Sequence, residues 1–194
     1  MLATSVRRHA SSRSHLRVLL ADGEEVVLRP LRREETDVLQ TVFDGLSPRS
    51  REHRYLVPMP RLTGHARRSL MDIDGHRHVA WVALLDGRPV AICRYVRTGP
   101  DSAEVAFEVV DTAQGRGIAS ALLDAVAADA CASGIAWFEA TVEPGNAGSV
   151  ALLHRIGLRL TPVDGLLEGR GRLCPRQPRT ALVPAPRACP APSA

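Results

Sequence analysis

Two acidic side chains and a pair of glycines fall close together in Asp101-Ser-Ala-Glu-Val-Ala-Phe-Glu-Val-Val-Asp-Thr-Ala-Gln-Gly-Arg-Gly-Ile-Ala-Ser120. The stretch reads as a strand over 103–110, a turn, and the start of a helix. A helix N-terminus leaves its first amides unpaired and carries partial positive charge. Gly115 and Gly117 let the backbone come close to an anion. In physical terms Gln114–Ser120 is therefore a pyrophosphate site. Strand alternation puts Glu104 and Glu108 on one face unless a bulge intervenes.

Two pyrophosphate ligands fit such a turn. Gly115-x-Gly117-x-x-Ser120 is similar to a dinucleotide fingerprint, and Glu139 follows at about the right distance. Against it, the third glycine is replaced by Ser120 and the preceding strand carries two acids. A buried parallel strand is nearly all apolar. The chain after Glu139 is also short for the rest of a doubly wound sheet. A Walker loop is excluded because the chain contains no lysine.

The remaining chemistry-bearing residues form weaker patterns. His76-x-His78 lacks the carboxylate or cysteine spacing that would complete a metal site, so no metal is expected. Cys93, Cys131, Cys174 and Cys189 form no CxxC pair, and a reducing, cytoplasmic setting is expected. Trp81, Trp137 and Cys131 read as core.

These residues need a scaffold, and the 194-residue chain is long enough for one domain with a real core. No apolar run is long enough to span a bilayer, so no membrane association is expected. All 25 basic residues are arginines, and nine of them lie before residue 18 or after residue 169. The segment 18–169 thus carries 16 arginines against 21 acids. That balance argues against a nucleic-acid-binding face. Residues 1–17, rich in Ser, Arg and His, and 174–194, rich in Pro and Arg, are expected to be disordered, leaving a domain at 18–173.

Within that domain the patterning predicts a strand at 24–30 and helices at 34–43, from Ser47, and at 62–71. A hairpin follows, 78–85 and 89–97, around Asp86-Gly87-Arg88. After the 103–110 strand come a helix at 115–133, a strand at 135–142, a helix at 146–156 and two short strands at 158–162 and 166–173. The order is mixed α/β, with one parallel crossover from 103–110 to 135–142.

Gln114-Gly-Arg-Gly117-Ile-Ala119 resembles the Gln/Arg-x-x-Gly-x-Gly/Ala signature of the GNAT superfamily of N-acetyltransferases. Asn146-x-x-Ser149-x-x-Leu152-x-x-x-x-Gly157-Leu158 is similar to its second motif. Leu46-Ser-Pro-Arg-Ser-Arg, Pro58-Met-Pro-Arg-Leu and Asp72-Ile-Asp-Gly-His-Arg-His-Val-Ala narrow the resemblance to the acetyltransferase domain of bacterial protein lysine acetyltransferases. The resemblance covers roughly 24–173. It implies a central, mostly antiparallel sheet with one parallel pair splayed around acetyl-CoA, and helices on both faces.

It further implies that the amides of Gly115, Arg116, Gly117, Ile118 and Ala119 hold the CoA pyrophosphate, with the Arg116 side chain near phosphate and Gln114 in the same loop. Val109 and Val110 would pair with the pantetheine arm, and Asn146 and Ser149 would line the channel. Glu104 matches the family's general base. A lysine ammonium titrates near pH ~10 and must lose a proton before it can attack. Partial burial would raise the carboxyl pKa toward that task. Glu108 is read as a second base, an acceptor anchor or an ordinary exposed acid. Where many small-molecule members carry a tyrosine as general acid, this chain has Leu153; His154 points roughly 100° away around the helix.

The expected activity is acetyl transfer from acetyl-CoA to an amine, a protein lysine first, by direct attack in a ternary complex. A small amine, a protein N-terminus or a non-catalytic acyl-CoA-binding role are the alternatives. Either a monomer or a homodimer suits the reading.

Overall fold

A computed structural model describes residues 15–173 and 183–184. Among these residues nine strands form one sheet: β1 (Leu16–Leu19), β2 (Glu25–Pro30), β3 (His78–Leu85), β4 (Arg88–Arg97), β5 (Ser102–Val109), β6 (Trp137–Val142), β7 (Arg159–Val163), β8 (Leu166–Arg172) and β9 (Val183–Pro184). The helices are α1 (Thr36–Asp44), α2 (Pro48–Tyr55), α3 (Gly64–Leu70), α4 (Ile118–Ala132) and α5 (Ala147–Arg155). The spatial order is β7-β8-β6-β5-β4-β3-β2-β1-β9. Every neighbouring pair is antiparallel except β5–β6.

Most boundaries fall within a few residues of the sequence reading. The long helix starts later than expected, at Ile118, because Asp111–Ala113 forms a short 3-10 turn and Gly117 is its left-handed N-cap. β1 was not expected: four residues between an Arg/Ser-rich stretch and Asp22 carry little pattern of their own. It forms because Leu16–Leu19 pairs with Glu25–Leu28 across a turn at Gly23. The first described strand thus begins at Leu16, two residues before the expected 18. The rest of the segments expected to be disordered, apart from His15 and the two-residue β9, lie outside the described residues.

Cross-strand register fixes which side chains share a face. Ala80, Arg94 and Ala106 are aligned across β3, β4 and β5, as are Trp81, Cys93 and Phe107 on the opposite face. The Trp81 indole donates to Asp129 of α4 at 3.2 Å, so α4 covers the second face. Arg54 of α2 bonds Glu108, so α2 covers the first, with Phe43 of α1 5.9 Å from the Tyr55 ring. Coverage on both sides explains why Ala91 to Tyr95 are buried without alternation. Trp137, expected in the core, is only half-buried, and the Arg170 guanidinium lies 4.8 Å over its ring.

The parallel pair is short. β5 and β6 are in register only at Ser102–Trp137, Ala103–Phe138 and Glu104–Glu139. β6 then stays with β8 to Val142 while β5 stays with β4 to Val109. Beyond Glu104 the two strands diverge, and the sheet opens.

Candidate active site

The opening between β5 and β6 is a cavity of about 620 Å³, within the range of small-molecule sites. Its walls are β5 from Glu104 to Val109, β6 from Ala140 to Val142, the glycine turn, the start of α5 and the end of α2.

The free edge of β5 follows from its hydrogen bonding. The Val110 amide donates to Val90 on the β4 side at 2.9 Å. Backbone amides alternate between edges along a strand. Those of Val105, Phe107 and Val109 consequently point toward the gap that β6 has left. Val109 thus has the orientation that pantetheine pairing requires. Val110 does not: its amide serves β4, its carbonyl accepts from Ala113 at 2.9 Å, and its side chain is buried.

The glycine turn closes one end. Gly115 and Gly117 have φ of 77° and 87°, and a Cβ on either would meet nothing within 4 Å. Backbone conformation, not crowding, calls for glycine here, and the space in front of both is open. No side chain caps the N-terminus of α4, so its first amides face the cavity through Gly117, Ile118 and Ala119. The Gln114 amide nitrogen donates to the Val109 carbonyl at 3.1 Å and Asp111 Oδ1 at 3.3 Å, bracing the turn against the end of β5.

Arg116 departs from expectation. Its guanidinium pairs with Asp22 and Glu24 of the β1–β2 turn, both at 2.7 Å, and its side chain is absent from the cavity wall. The positive field in the turn comes from backbone amides rather than this side chain.

Across the gap, Asn146 and Ser149 line the wall. Asn146 Oδ1 accepts from the Ser149 amide at 3.1 Å and so caps α5. Leu153 is a buried wall residue that offers no proton. His154 is exposed and turned to the Leu158 carbonyl at 3.1 Å.

Glu104 and Glu108 share the face that alternation predicts, with no bulge between them. Their surroundings differ sharply. Glu104 stands on the cavity wall beside the point of divergence, exposed, and its carboxylate makes no hydrogen bond among the described residues. The expected partial burial is not there. Glu108 is 4% exposed and clamped between Arg54 Nε on one oxygen and Arg94 at 3.3 Å on the other. Burial alone would raise its pKa, but the two guanidiniums outweigh it and hold the carboxyl below the usual range. It is neither an exposed acid nor a free base.

Sequence reasoning missed the α2 contribution: Ser50, His53, Arg54 and Tyr55 all line the cavity. His53 meets Glu143 of the β6–α5 loop at 3.2 Å, spanning the cavity mouth. A sequence clue existed. Arg94 interrupts the apolar run Ala91-Ile-Cys-Arg-Tyr, and a charge inside a central strand demands a buried partner. The polar helix Pro48–Tyr55 was the element able to complete the cluster.

His78 is buried beside Arg94, and burial first and Arg94 second push its pKa down to about 4. His76 lies in the exposed loop before it, held with Arg77 and His78 by backbone bonds to Asp74 Oδ1. Among the described residues no three His, Cys, Asp or Glu side chains are placed to hold a metal, and no helix is long and apolar enough to cross a membrane.

A sheet splayed after a short parallel pair, with a glycine turn feeding a helix at the mouth, defines an acyl-CoA-using transferase fold. The acetyltransferase (GNAT) family model matches residues 42–158, and the chain belongs to that family of N-acetyltransferases, whose acyl donor is acetyl-CoA. The GNAT domain of S. lividans PAT superposes with a TM-score of 0.77 at 32% identity, over 82% of this chain and 97% of that domain. Acetyltransferase PA5475 of Pseudomonas aeruginosa is 35% identical over 109 residues, 54% of this chain and 59% of its own length. Acetyltransferase Pat of Mycolicibacterium smegmatis is 37% identical over 92 residues, 45% of this chain and 28% of its length. The chain therefore spans only part of both curated relatives.

Proposed function

We propose that the protein transfers the acetyl group of acetyl-CoA to the side-chain amine of a protein lysine, with Glu104 as the general base. The observation that carries the reading is the layout of one strand. Its free edge leads from the glycine turn, beside Val109, back to Glu104, where β5 and β6 part. The strand rise makes that run roughly 17 Å. A long thiol arm lying along it, its phosphates at the amides of 115–119, brings its thioester toward the carboxylate.

In the reaction the Glu104 carboxylate, directly or through water, takes a proton from the acceptor ammonium. The freed nitrogen lone pair attacks the thioester carbonyl carbon. The nitrogen then gives its second proton to water as the C–S bond breaks and the amide forms, and CoA leaves as a thiolate that takes up a proton from water. Glu104 is exposed to the cavity and therefore reachable by an acceptor. The protein-lysine assignment rests on the sequence resemblance at 46–51, 58–62 and 72–80.

The test is release of CoA thiol from acetyl-CoA in the presence and absence of lysine-containing proteins, peptides and small amines, with the acetylated product identified by mass spectrometry. Acceptor-dependent release with acetyl-lysine is the expected result. Binding of acetyl-CoA with no turnover on any acceptor contradicts the reading. Turnover confined to small amines or N-termini removes the lysine assignment alone.

A further inference from the structure

The ion cluster under the cavity is not balanced. Glu108 supplies one negative charge, and Arg54 and Arg94 supply two positive ones. Arg94 is committed within the protein: it donates to the Leu70 carbonyl at 2.6 Å and to Glu108, and its side chain is 4% exposed. Arg54 is not. Only its Nε reaches Glu108, and its two terminal nitrogens make no hydrogen bond among the described residues. Neither nitrogen is sealed away, since the side chain keeps 14% of its surface and lines the cavity. His53, the other α2 residue with ring or guanidinium nitrogens on the cavity wall, already meets Glu143.

Position decides which substrate this cation meets. On the transferase reading, the donor's arm would lie in the plane of the sheet, in the gap between β5 and β6. Arg54 comes from α2, above the face that carries Glu104, Ala106 and Glu108. Ala106 keeps the floor low between the two acids, whose Cα atoms are about 13 Å apart along the strand. An acceptor approaching Glu104 from this face therefore lies over Ala106 with Arg54 at its far end. Two adjacent guanidinium N–H₂ groups match a carboxylate in a bidentate fork.

We propose that Arg54 binds a carboxylate on the acceptor, so that the preferred substrate amine has an acidic group nearby, such as a lysine flanked by Asp or Glu. This rests on the transferase reading above. The probes are peptides with one lysine and Glu or Gln at each flanking position in turn, and ω-amino acids of increasing length with their primary amides. Each pair is compared at saturating acetyl-CoA with wild type, Arg54→Gln and Arg54→Lys. Binding of the same pairs to CoA-loaded protein is measured alongside.

The carboxylate members are expected to show kcat/KM and affinity roughly ten-fold or more above their neutral partners at some spacing, the worth of a charge-assisted bond. Arg54→Gln brings the ratio close to one, and Arg54→Lys retains part of it. Parity in wild type, or a preference that survives Arg54→Gln, overturns the proposal. So does an Arg54-dependent preference for succinyl-CoA over acetyl-CoA with no acceptor preference, which places the carboxylate on the donor. Differential binding without turnover leaves the anion site standing and the transferase reading refuted; turnover without preference does the reverse. If Arg54→Gln fails to fold, the wild-type pairs and Arg54→Lys decide.

Discussion

The contrast between Glu104 and Glu108 shows how far a residue's role depends on what lies above it. Both sit on one face of β5, and that much was legible from a two-residue period. The helix overhead was not legible as a partner, because Pro48–Tyr55 has no buried residue and no apolar stripe to announce where it packs. Glu108 is held by charge. Replacing Glu108 with Gln leaves the buried Arg94 and the partly buried Arg54 poorly compensated and should destabilise the fold by about 3 kcal/mol or more, read by urea unfolding. His78 gives a pH signature. Its folded pKa of about 4 lies below the ordinary histidine value of 6.5, so the unfolded chain binds the proton first as pH falls. Stability should be complete above pH ~6.5 and decline toward pH 4. His78→Gln should flatten that decline by on the order of 2 kcal/mol; an unchanged slope would show that the ring is not the titrating group.

Among the elements, the glycine turn and its helix were the most readable, because positive φ and an uncapped N-terminus both have sequence marks. Gly117→Ala tests the turn. With φ at 87° and free space around it, alanine brings conformational strain but no clash. The expected cost is about 1–2 kcal/mol, felt as roughly ten-fold weaker CoA binding by calorimetry with little loss of secondary structure. Gly171 behaves oppositely. Its φ is unremarkable, but a Cβ there would sit 2.4 Å from the Gly157 carbonyl oxygen, where β8 passes the end of α5. Gly171→Ala should therefore lower the melting temperature, at a cost of about 1–3 kcal/mol, and its effect on CoA affinity should be secondary. That close approach was invisible in sequence, since it depends on two segments meeting. β1 escaped notice for the same reason: its four residues acquire meaning only from pairing with β2.

At the scale of the molecule, the mostly antiparallel sheet with one parallel pair that the chain implied is the one that forms, with β1 and β9 added at one edge, and the divergence of β5 from β6 turns it into a site. What the sequence could not convey was the internal electrostatics. Arg116 looked free for phosphate but is held by Asp22 and Glu24, more than 90 residues away. Arg54, one of several cations on a polar helix, faces the cavity. Long-range charge pairing is set by tertiary placement, and residue types alone do not specify it. The account's central claim is that a carboxylate at the point of strand divergence takes the acceptor's proton while the glycine turn holds the donor. Turnover and acetyl-CoA affinity of Glu104→Gln, measured side by side with wild type, test it most directly. The account predicts a loss of about a hundred-fold or more in kcat with acetyl-CoA affinity changed by less than a few-fold. Undiminished turnover in that variant would contradict it.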